Sequence, residues 1–271
     1  MIKIPEVIAR LAQKKQCNFR YNAEVQSLDI AGDKVKGVLL SSGEYLECDY
    51  LIFNGDINAL KHGLLGEPAS EAIPKNLQQT DSLSAVTWSM QVKASGFPLV
   101  RHNVFFNQPY RNEFSDIFSQ NKIPENPTVY ICAQDRTDHA IESDSHERLF
   151  CLVNAPANGG SSSYDTKEID RCEQKIFSLM SQYGLQLQNL EMTRTSPQEF
   201  AKLFPGRGGA LYGQATHGWM SSFQRLGSQS QISNLLLTGG STHPGPGVPM
   251  AAMSGRLVAA TLMEHLGLTK R

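Results

Sequence analysis

The residues with the clearest chemical potential lie near the end of the chain, in a stretch rich in glycine and proline. Leu235 to Leu237 form a short apolar run that predicts a buried strand. Gly239 and Gly240 then break this strand, because glycine tolerates the backbone angles and the close approach of a tight turn. The loop that follows, His243-Pro-Gly-Pro-Gly247, carries almost no side-chain bulk. A flat ligand could therefore lie directly against this backbone.

A mostly apolar helix is predicted to start just after this loop, at Val248 or Pro249, since proline at the first helical position loses no needed hydrogen bond. The start of a helix offers unpaired N–H groups and a partial positive charge. Such a site would suit a planar, electron-accepting ring that becomes anionic on reduction. An ordinary connection between a strand and a helix explains the same local pattern, and the local pattern alone favours that simpler interpretation.

Other common catalytic and binding patterns are missing from the sequence. A Gly-x-Gly-x-x-Gly turn, which holds the pyrophosphate of a dinucleotide, would need a third glycine at Leu211 after Gly206 and Gly208, or at Met250 after Gly245 and Gly247. The seven histidines show no metal-ligand spacing, so no metal site is expected. No serine or cysteine lies in a nucleophile elbow.

Length, charge and cysteine content limit the class of protein. The chain has 271 residues, enough for one large or two ordinary domains. Its 25 basic and 26 acidic residues form no basic block, which argues against a nucleic-acid partner. The five cysteines are scattered, a pattern typical of reduced thiols, and no secretory signal is recognised, so we expect a cytoplasmic protein. No apolar run reaches the ~20 residues that a membrane-spanning helix needs.

The elements that must position the glycine-rich loop are predicted at both ends of the chain. Residues 4–16 have the apolar spacing of a helix. Residues 19–30, 35–40 and 45–53 predict a meander of three strands, with turns at Gly32 and Gly43. Strand residues such as Val25 have a core role in this interpretation, whatever else they contact. The polar side chains of residues 54–56 are typical of a turn.

The middle of the chain contains several further segments with the apolar pattern of strands, which predict a second sheet distinct from the meander. Alternating residues between 86 and 92 form a strand with one apolar face, and residues 104–106, 129–133 and 149–153 predict further strands. The clearest helix runs from Lys167 to Tyr183, and Gly184 ends it. A short helix is predicted from Ser196. The fold class is therefore mixed α/β.

Two segments resemble one known family. Thr242-His-Pro-Gly-Pro-Gly-Val-Pro-Met250 resembles the C-terminal flavin signature of the phytoene desaturase-type carotenoid desaturases, and residues 208–219 resemble the segment that precedes it. The run from His217 to Phe223 is most similar to the branch that acts on hydroxyneurosporene and methoxyneurosporene at the 3,4 position. The resemblance covers this whole chain but only the C-terminal half of a family member.

This resemblance implies an FAD-dependent enzyme that dehydrogenates an acyclic 1-hydroxy or 1-methoxy carotenoid. The main chain at Val25 would contact the adenine, and His217 and Trp219 would line the substrate site, although packing in the core explains these two side chains equally well. The loop residues implied to hold the flavin are Gly239, Gly240, Gly245, Gly247, Val248, Pro249 and Met250. No acid or base is implied.

The same resemblance implies a domain division and a set of partners. Residues 1–58 and 232–271 would form a partial FAD-binding domain without its dinucleotide-binding βαβ unit, and residues 59–231 would form the carotenoid domain. We expect a lipophilic carotenoid substrate, contact with a membrane surface, and a complementary N-terminal polypeptide that completes the cofactor site. A carotenoid isomerase, a saturase and a non-catalytic remnant remain as alternatives.

Overall fold

The computed structural model describes residues 2–77, 80–107, 110–137, 146–160, 166–215 and 225–268. Within these ranges, the helices are α1 (Lys3–Lys14), α2 (Ile57–Lys61), α3 (Tyr110–Phe118), α4 (Thr166–Gln182), α5 (Pro197–Leu203) and α6 (Val248–His265), with a 3₁₀ helix at Glu67–Ala72. The strands are β1 (Val25–Ala31), β2 (Lys34–Leu40), β3 (Tyr45–Glu47), β4 (Leu51–Phe53), β5 (Ser84–Ser95), β6 (His102–Phe105), β7 (Val129–Ala133), β8 (Glu147–Ala155), β9 (Gln186–Thr195) and β10 (Leu235–Leu237).

The predicted meander exists, but its third strand is shorter than the sequence indicates. Strands β1, β2 and β3 pair antiparallel in that order. The predicted strand 45–53 divides into β3 and β4, and β4 leaves the meander to pair parallel with β10. The buried side chain of Asn234 lies at this exchange, where its amide donates to the carbonyls of Val35 in β2 and Asp49 before β4, at 2.8 and 2.7 Å. It thereby ties the start of β10 to both segments.

The predicted second sheet is confirmed and has five antiparallel strands in the order β6-β7-β8-β5-β9. Its core face packs against the apolar stripe of α4, where Ile169, Cys172, Ile176 and Met180 are buried. Helix α3 and strand β9 were not predicted. Strand β9 escapes prediction because its sequence, QLQNLEMTRT, is mostly polar, and pairing with β5 forms it instead.

The buried apolar residues form two clusters. One lies in the five-stranded sheet and α4, and the other joins the meander, β10, α2 and the 3₁₀ helix. The second cluster includes Leu60 and Ile73, which follow the meander in the chain. The division of the chain into residues 1–58 with 232–271 and residues 59–231 stays a prediction.

Two helices leave apolar surface exposed. Helix α1 forms where the sequence predicts it, yet none of its residues is buried, and Val7, Ile8 and Leu11 are all more than half exposed. Helix α6 buries only Ser254 and Val258 among its 18 residues. In the described part of the chain, no helix combines the length and apolar character needed to cross a bilayer.

Candidate cofactor site

The parallel pairing of β4 and β10 brings the loops that follow these two strands to one edge. Leu51 to Phe53 pair in register with Leu235 to Leu237, so both strands end at the same level. The N–H of Thr238 continues the ladder to the carbonyl of Phe53 at 3.0 Å. Ligands of open parallel sheets bind at this carboxyl edge. The glycine-rich loop predicted from sequence lies here, beside residues 54–56.

Gly239 is required by its neighbour across this edge. Its φ is +110°, and a Cβ atom at this position would lie 2.7 Å from the side-chain oxygen of Asn54. Any larger residue would combine backbone strain with a clash, so the close approach of the two loops depends on this glycine. The N–H of Ile57 donates to the hydroxyl of Ser241 at 3.3 Å and joins the same loops a second time.

Helix α6 holds the glycine loop through a single buried hydroxyl. Ser254 is 1% exposed, and its oxygen accepts the N–H of Gly239 at 2.9 Å. It also lies 2.9 Å from the hydroxyl of Thr238 and 3.0 Å from that of Thr242. A serine hydroxyl has one donor and two acceptor positions, and these three contacts use all of them. The loop after β10 is therefore fixed to the second turn of α6.

The beginning of α6 is open to a ligand. Gly247 is the N-cap residue, with φ 106° and ψ 146°, and no atom lies within 4 Å of the position where its Cβ would stand. Helix α6 begins at Val248, with Pro249 at the second position, and both Val248 and Met250 are exposed. The first N–H groups of a helix have no partner within it, and the helix start carries a partial positive charge. This arrangement fits a flat group that carries negative charge.

A cleft of about 240 Å³ borders the loop. From the loop, Gly240 and Pro246 line it, together with the aromatic residues Phe200, Phe204 and Tyr212. The loop after β10 therefore contributes to a cleft at the sheet edge. A lining that is largely apolar and aromatic is typical of pockets for organic ligands.

Two buried arginines support the cleft. Arg207 pairs with Asp56 at 3.2 Å and with Asp81 at 2.8 Å. Burial raises the pKa of Asp81, and the pairing with Arg207 opposes that effect only in part. Arg225 is 5% exposed, and its guanidinium donates to the carbonyls of Gly240 and Gln214. Arg207 therefore holds Asp56, a lining residue of the cleft, to Asp81.

The structure brings most of the predicted site residues together. Gly239, Gly240, Gly245, Gly247, Val248, Pro249 and Met250 form one continuous loop and helix start. Val25 lies elsewhere, as the first residue of β1, where it packs partly buried against the core of the meander. His217 and Trp219 lie outside the described residues. The described residues contain no group of three or more His, Cys, Asp or Glu placed to hold a metal ion.

The residues of this site that were not predicted include Asn54, Arg225 and Ser254, which contact the glycine-rich loop. The spacing of Ser254 from Thr242 gave no usable signal, because serine inside an apolar helix has no single meaning. Arg225 is isolated in sequence from every other site residue. Asn54 was assigned to a turn, and its closeness to Gly239 follows only from the parallel pairing.

A parallel strand pair whose following loop leads into a helix start is the kind of sheet edge at which α/β proteins bind nucleotides and flavins. The chain belongs to the flavin containing amine oxidoreductase family, whose model matches residues 2–263. This membership confirms the mixed α/β oxidoreductase fold and the flavin class of cofactor that the sequence predicted.

Named relatives confirm the resemblance to the carotenoid desaturases. The chain is 50% identical to a hydroxyneurosporene desaturase of Rubrivivax gelatinosus over 100% of this chain and 52% of the relative. It is 30% identical to a 1-hydroxycarotenoid 3,4-desaturase of Flavobacterium sp. (strain P99-3), over 96% of this chain and 53% of that protein. The chain thus spans about half the length of the curated relatives it matches.

A solved structure supports the fold. The chain has a TM-score of 0.53 and 14% identity with a structure from Exiguobacterium sp. 255-15 assigned as a protoporphyrinogen oxidase, over 89% of this chain and 47% of that one. At this level of identity the likeness concerns the fold alone.

Proposed function

We propose that this chain is the C-terminal part of an FAD-dependent carotenoid desaturase. Its substrate is an acyclic 1-hydroxy or 1-methoxy carotenoid, from which two hydrogens leave adjacent carbons and extend the polyene. When bound, FAD would supply the redox chemistry as the acceptor of the hydride equivalent, and the proton from the neighbouring carbon would pass to solvent. The observation that carries this proposal is the open helix start at Gly247 beside the cleft, in a chain half identical to a hydroxyneurosporene desaturase.

The residues of the site suit this role. Gly247 keeps side-chain bulk away from the flavin, and the first turn of α6 offers N–H groups to its negative edge. Phe200, Phe204 and Tyr212 give the cleft the apolar wall that a polyene needs. A positioned polyene in a water-poor cleft reacts without a strong acid or base on the protein.

A second polypeptide segment completes the site in this proposal. Leu51 donates to Asn234 and Phe53 accepts from Thr238, so the peptide groups of Ile52 point away from β10. No described strand covers that edge of the sheet, and Ile52 is 41% exposed. Parallel sheets are normally covered on both faces and contain more than two strands. The exposed faces of α1 and α6 supply further apolar surface for the N-terminal half of a family member.

The proposal includes a cytoplasmic location with peripheral contact to a membrane. The support is chemical, because an acyclic carotenoid dissolves in lipid and must enter the cleft from it. The exposed apolar residues Met253, Leu257 and Met263 on α6 are consistent with such contact, but the complementary segment could cover the same face.

The test compares the chain alone with the chain joined to the N-terminal half of the Rubrivivax gelatinosus relative. Each is purified with FAD, its absorbance spectrum is recorded, and an acyclic 1-hydroxycarotenoid is supplied in lipid vesicles. We expect the joined protein to retain flavin and to yield a product two hydrogens lighter, with absorption at longer wavelength. The chain alone should retain little flavin.

Other products identify the alternatives. An unchanged mass would indicate an isomerase, and a gain of two hydrogens would indicate a saturase. A joined protein that retains no flavin would contradict the proposal and favour a non-catalytic remnant.

A further inference from the structure

Arg225 has an unusual environment beside the glycine loop. It is 5% exposed, and two of its nitrogens donate to the carbonyl of Gln214 at 2.6 Å and to that of Gly240 at 3.3 Å. Its Nε atom is buried and has no hydrogen-bond partner. Of the carboxylates that the structure describes, none forms an ion pair with it. A buried cation held only by carbonyls is costly unless a negative charge joins it.

The unpaired nitrogen lies against the loop that borders the cleft. At Gly245, where φ is +129°, a Cβ atom would stand 3.3 Å from Nε of Arg225. The glycine therefore makes room for the guanidinium. Gln214, whose carbonyl accepts from Arg225, also has a buried side-chain oxygen without a partner. A donor and an acceptor thus both remain unused at this end of the loop.

Neighbouring charges do not neutralise Arg225. Burial and the positive charge of Arg207 lower the pKa of Arg225, and Asp56 opposes them. Asp56, however, is already paired with Arg207, and its carboxylate forms no ion pair with Arg225. The same loop ends at Gly247, the N-cap of α6. Two sources of positive potential, a guanidinium and a helix start, therefore flank the segment 243–247.

We propose that Arg225 is a positioning residue that places positive charge beside Gly245 to stabilise an anionic, reduced isoalloxazine ring. This inference rests on the proposed function, because it takes the ligand of the loop to be a flavin. The guanidinium acts together with the start of α6. Its effect is therefore on the relative affinity for reduced and oxidised flavin, more than on flavin binding as such.

The experiment measures the two-electron midpoint potential of the flavin in the joined protein described above. Arg225→Met and Arg225→Gln remove the charge, and Arg225→Lys keeps it. We expect the neutral variants to lose at least about tenfold in their preference for reduced flavin. For a two-electron couple, that loss lowers the potential by about 30 mV. The lysine variant should stay close to the wild-type potential, and sulfite, which forms an anionic flavin adduct, should bind more weakly to the neutral variants only.

Ser254→Ala is the structural control, since it loosens the same loop without a change of charge. It should reduce flavin occupancy and leave the potential unchanged. An unchanged potential in flavin-loaded Arg225→Met would overturn the inference. Such a result would mean that both redox states lose affinity equally, so that Arg225 contributes only to flavin binding as such. If neither neutral variant retains flavin, retention by Arg225→Lys supports the requirement for charge, whereas its loss there too contradicts it.

If the joined wild-type protein retains no flavin, the proposed function itself fails. If it retains flavin and the neutral Arg225 variants keep the wild-type potential, only the role proposed for Arg225 fails.

Discussion

Gly247 and Gly66 occupy the same kind of position in two different places. Each is an N-cap residue with proline at the second helical position, and their backbone angles nearly coincide, with φ 106° and 97° and ψ 146° in both. This region of backbone space is essentially restricted to glycine. The same substitution at both glycines therefore carries the same cost in backbone strain, and any further effect at Gly247 reports contact with a ligand.

We expect Gly247→Ala and Gly66→Ala to destabilise the fold by a similar amount, about 1–3 kcal/mol each. Only Gly247→Ala should lower flavin retention, because its Cβ enters the open space at the start of α6, whereas at Gly66 it meets Ser27 at an ordinary 3.7 Å. Urea unfolding and the ratio of flavin to protein absorbance measure the two effects. Similar flavin retention in both variants would remove Gly247 from the cofactor site.

Ser254→Ala should cost about 1–3 kcal/mol, because it leaves the buried N–H of Gly239 without its acceptor. Thr261→Ala is the control on the same helix, where the hydroxyl bonds only the carbonyl of Leu257 one turn earlier. That variant should change the free energy of unfolding by less than about 0.5 kcal/mol. Equal effects of the two substitutions would show that Ser254 does not fix the loop.

At the scale of elements, α5 depends on a charged cap. Ser196 and Glu199 form a capping box, in which the N–H and hydroxyl of Ser196 both donate to the carboxylate. Burial alone would raise the pKa of Glu199, but these hydrogen bonds lower it below its ordinary value. Phe200 and Phe204, which line the cleft, follow this cap directly. The stability of the cleft wall is thus linked to the ionisation of one carboxyl group.

The sign of the pH effect follows from the lowered pKa. Stabilisation by Glu199 is complete above the ordinary pKa of glutamate and is lost as the pH falls through the lowered value. We expect Glu199→Gln to cost about 1 kcal/mol at neutral pH and nothing in strong acid. Urea unfolding of both proteins across the acidic range tests this. A difference that stays constant with pH would mean that the carboxylate charge has no part in the cap.

At the scale of the whole molecule, the exposed stripe of α1 is the clearest sign of an incomplete surface. Leu11 is 59% exposed and touches no buried core, so its apolar side chain is not needed to hold the chain together. A helix with one apolar side normally packs that side against another element. The relatives are about twice as long as this chain, and their additional segment is the partner that we propose for α1.

Leu11→Gln should change the free energy of unfolding of the chain alone by less than about 0.5 kcal/mol. It should weaken association with a separately expressed N-terminal half of the Rubrivivax gelatinosus relative, because it places an amide in the proposed interface. Sedimentation of the mixed halves measures this binding. Leu64→Gln, at a leucine that is 52% exposed and lies after α2, is the control. Equal binding by both variants would remove α1 from the interface.

Local patterns predicted much of the fold. The helical spacing of residues 167–183, the alternation of residues 86–92 and the glycine turns of the meander each require one structure, because side chains must alternate or recur to reach a core. The split of residues 45–53 into β3 and β4 was not predictable. It follows the parallel pairing of β4 with β10, next to which Asn234 bonds Val35 and Asp49, and all of these partners are far apart in sequence.

The sequence by itself determined that a loop of glycine and proline joins a buried strand to the apolar helix that begins at Val248. This was possible because the strand, the loop and the helix start follow one another directly in the chain. Only the tertiary structure decided what faces that loop. Ser254, Arg225 and Asn54 reach it from separate positions in the chain through the parallel pairing of β4 and β10 and the packing of α6. Hydrogen bonds and close approaches of this kind depend on distance in space, and residue order does not encode that distance locally.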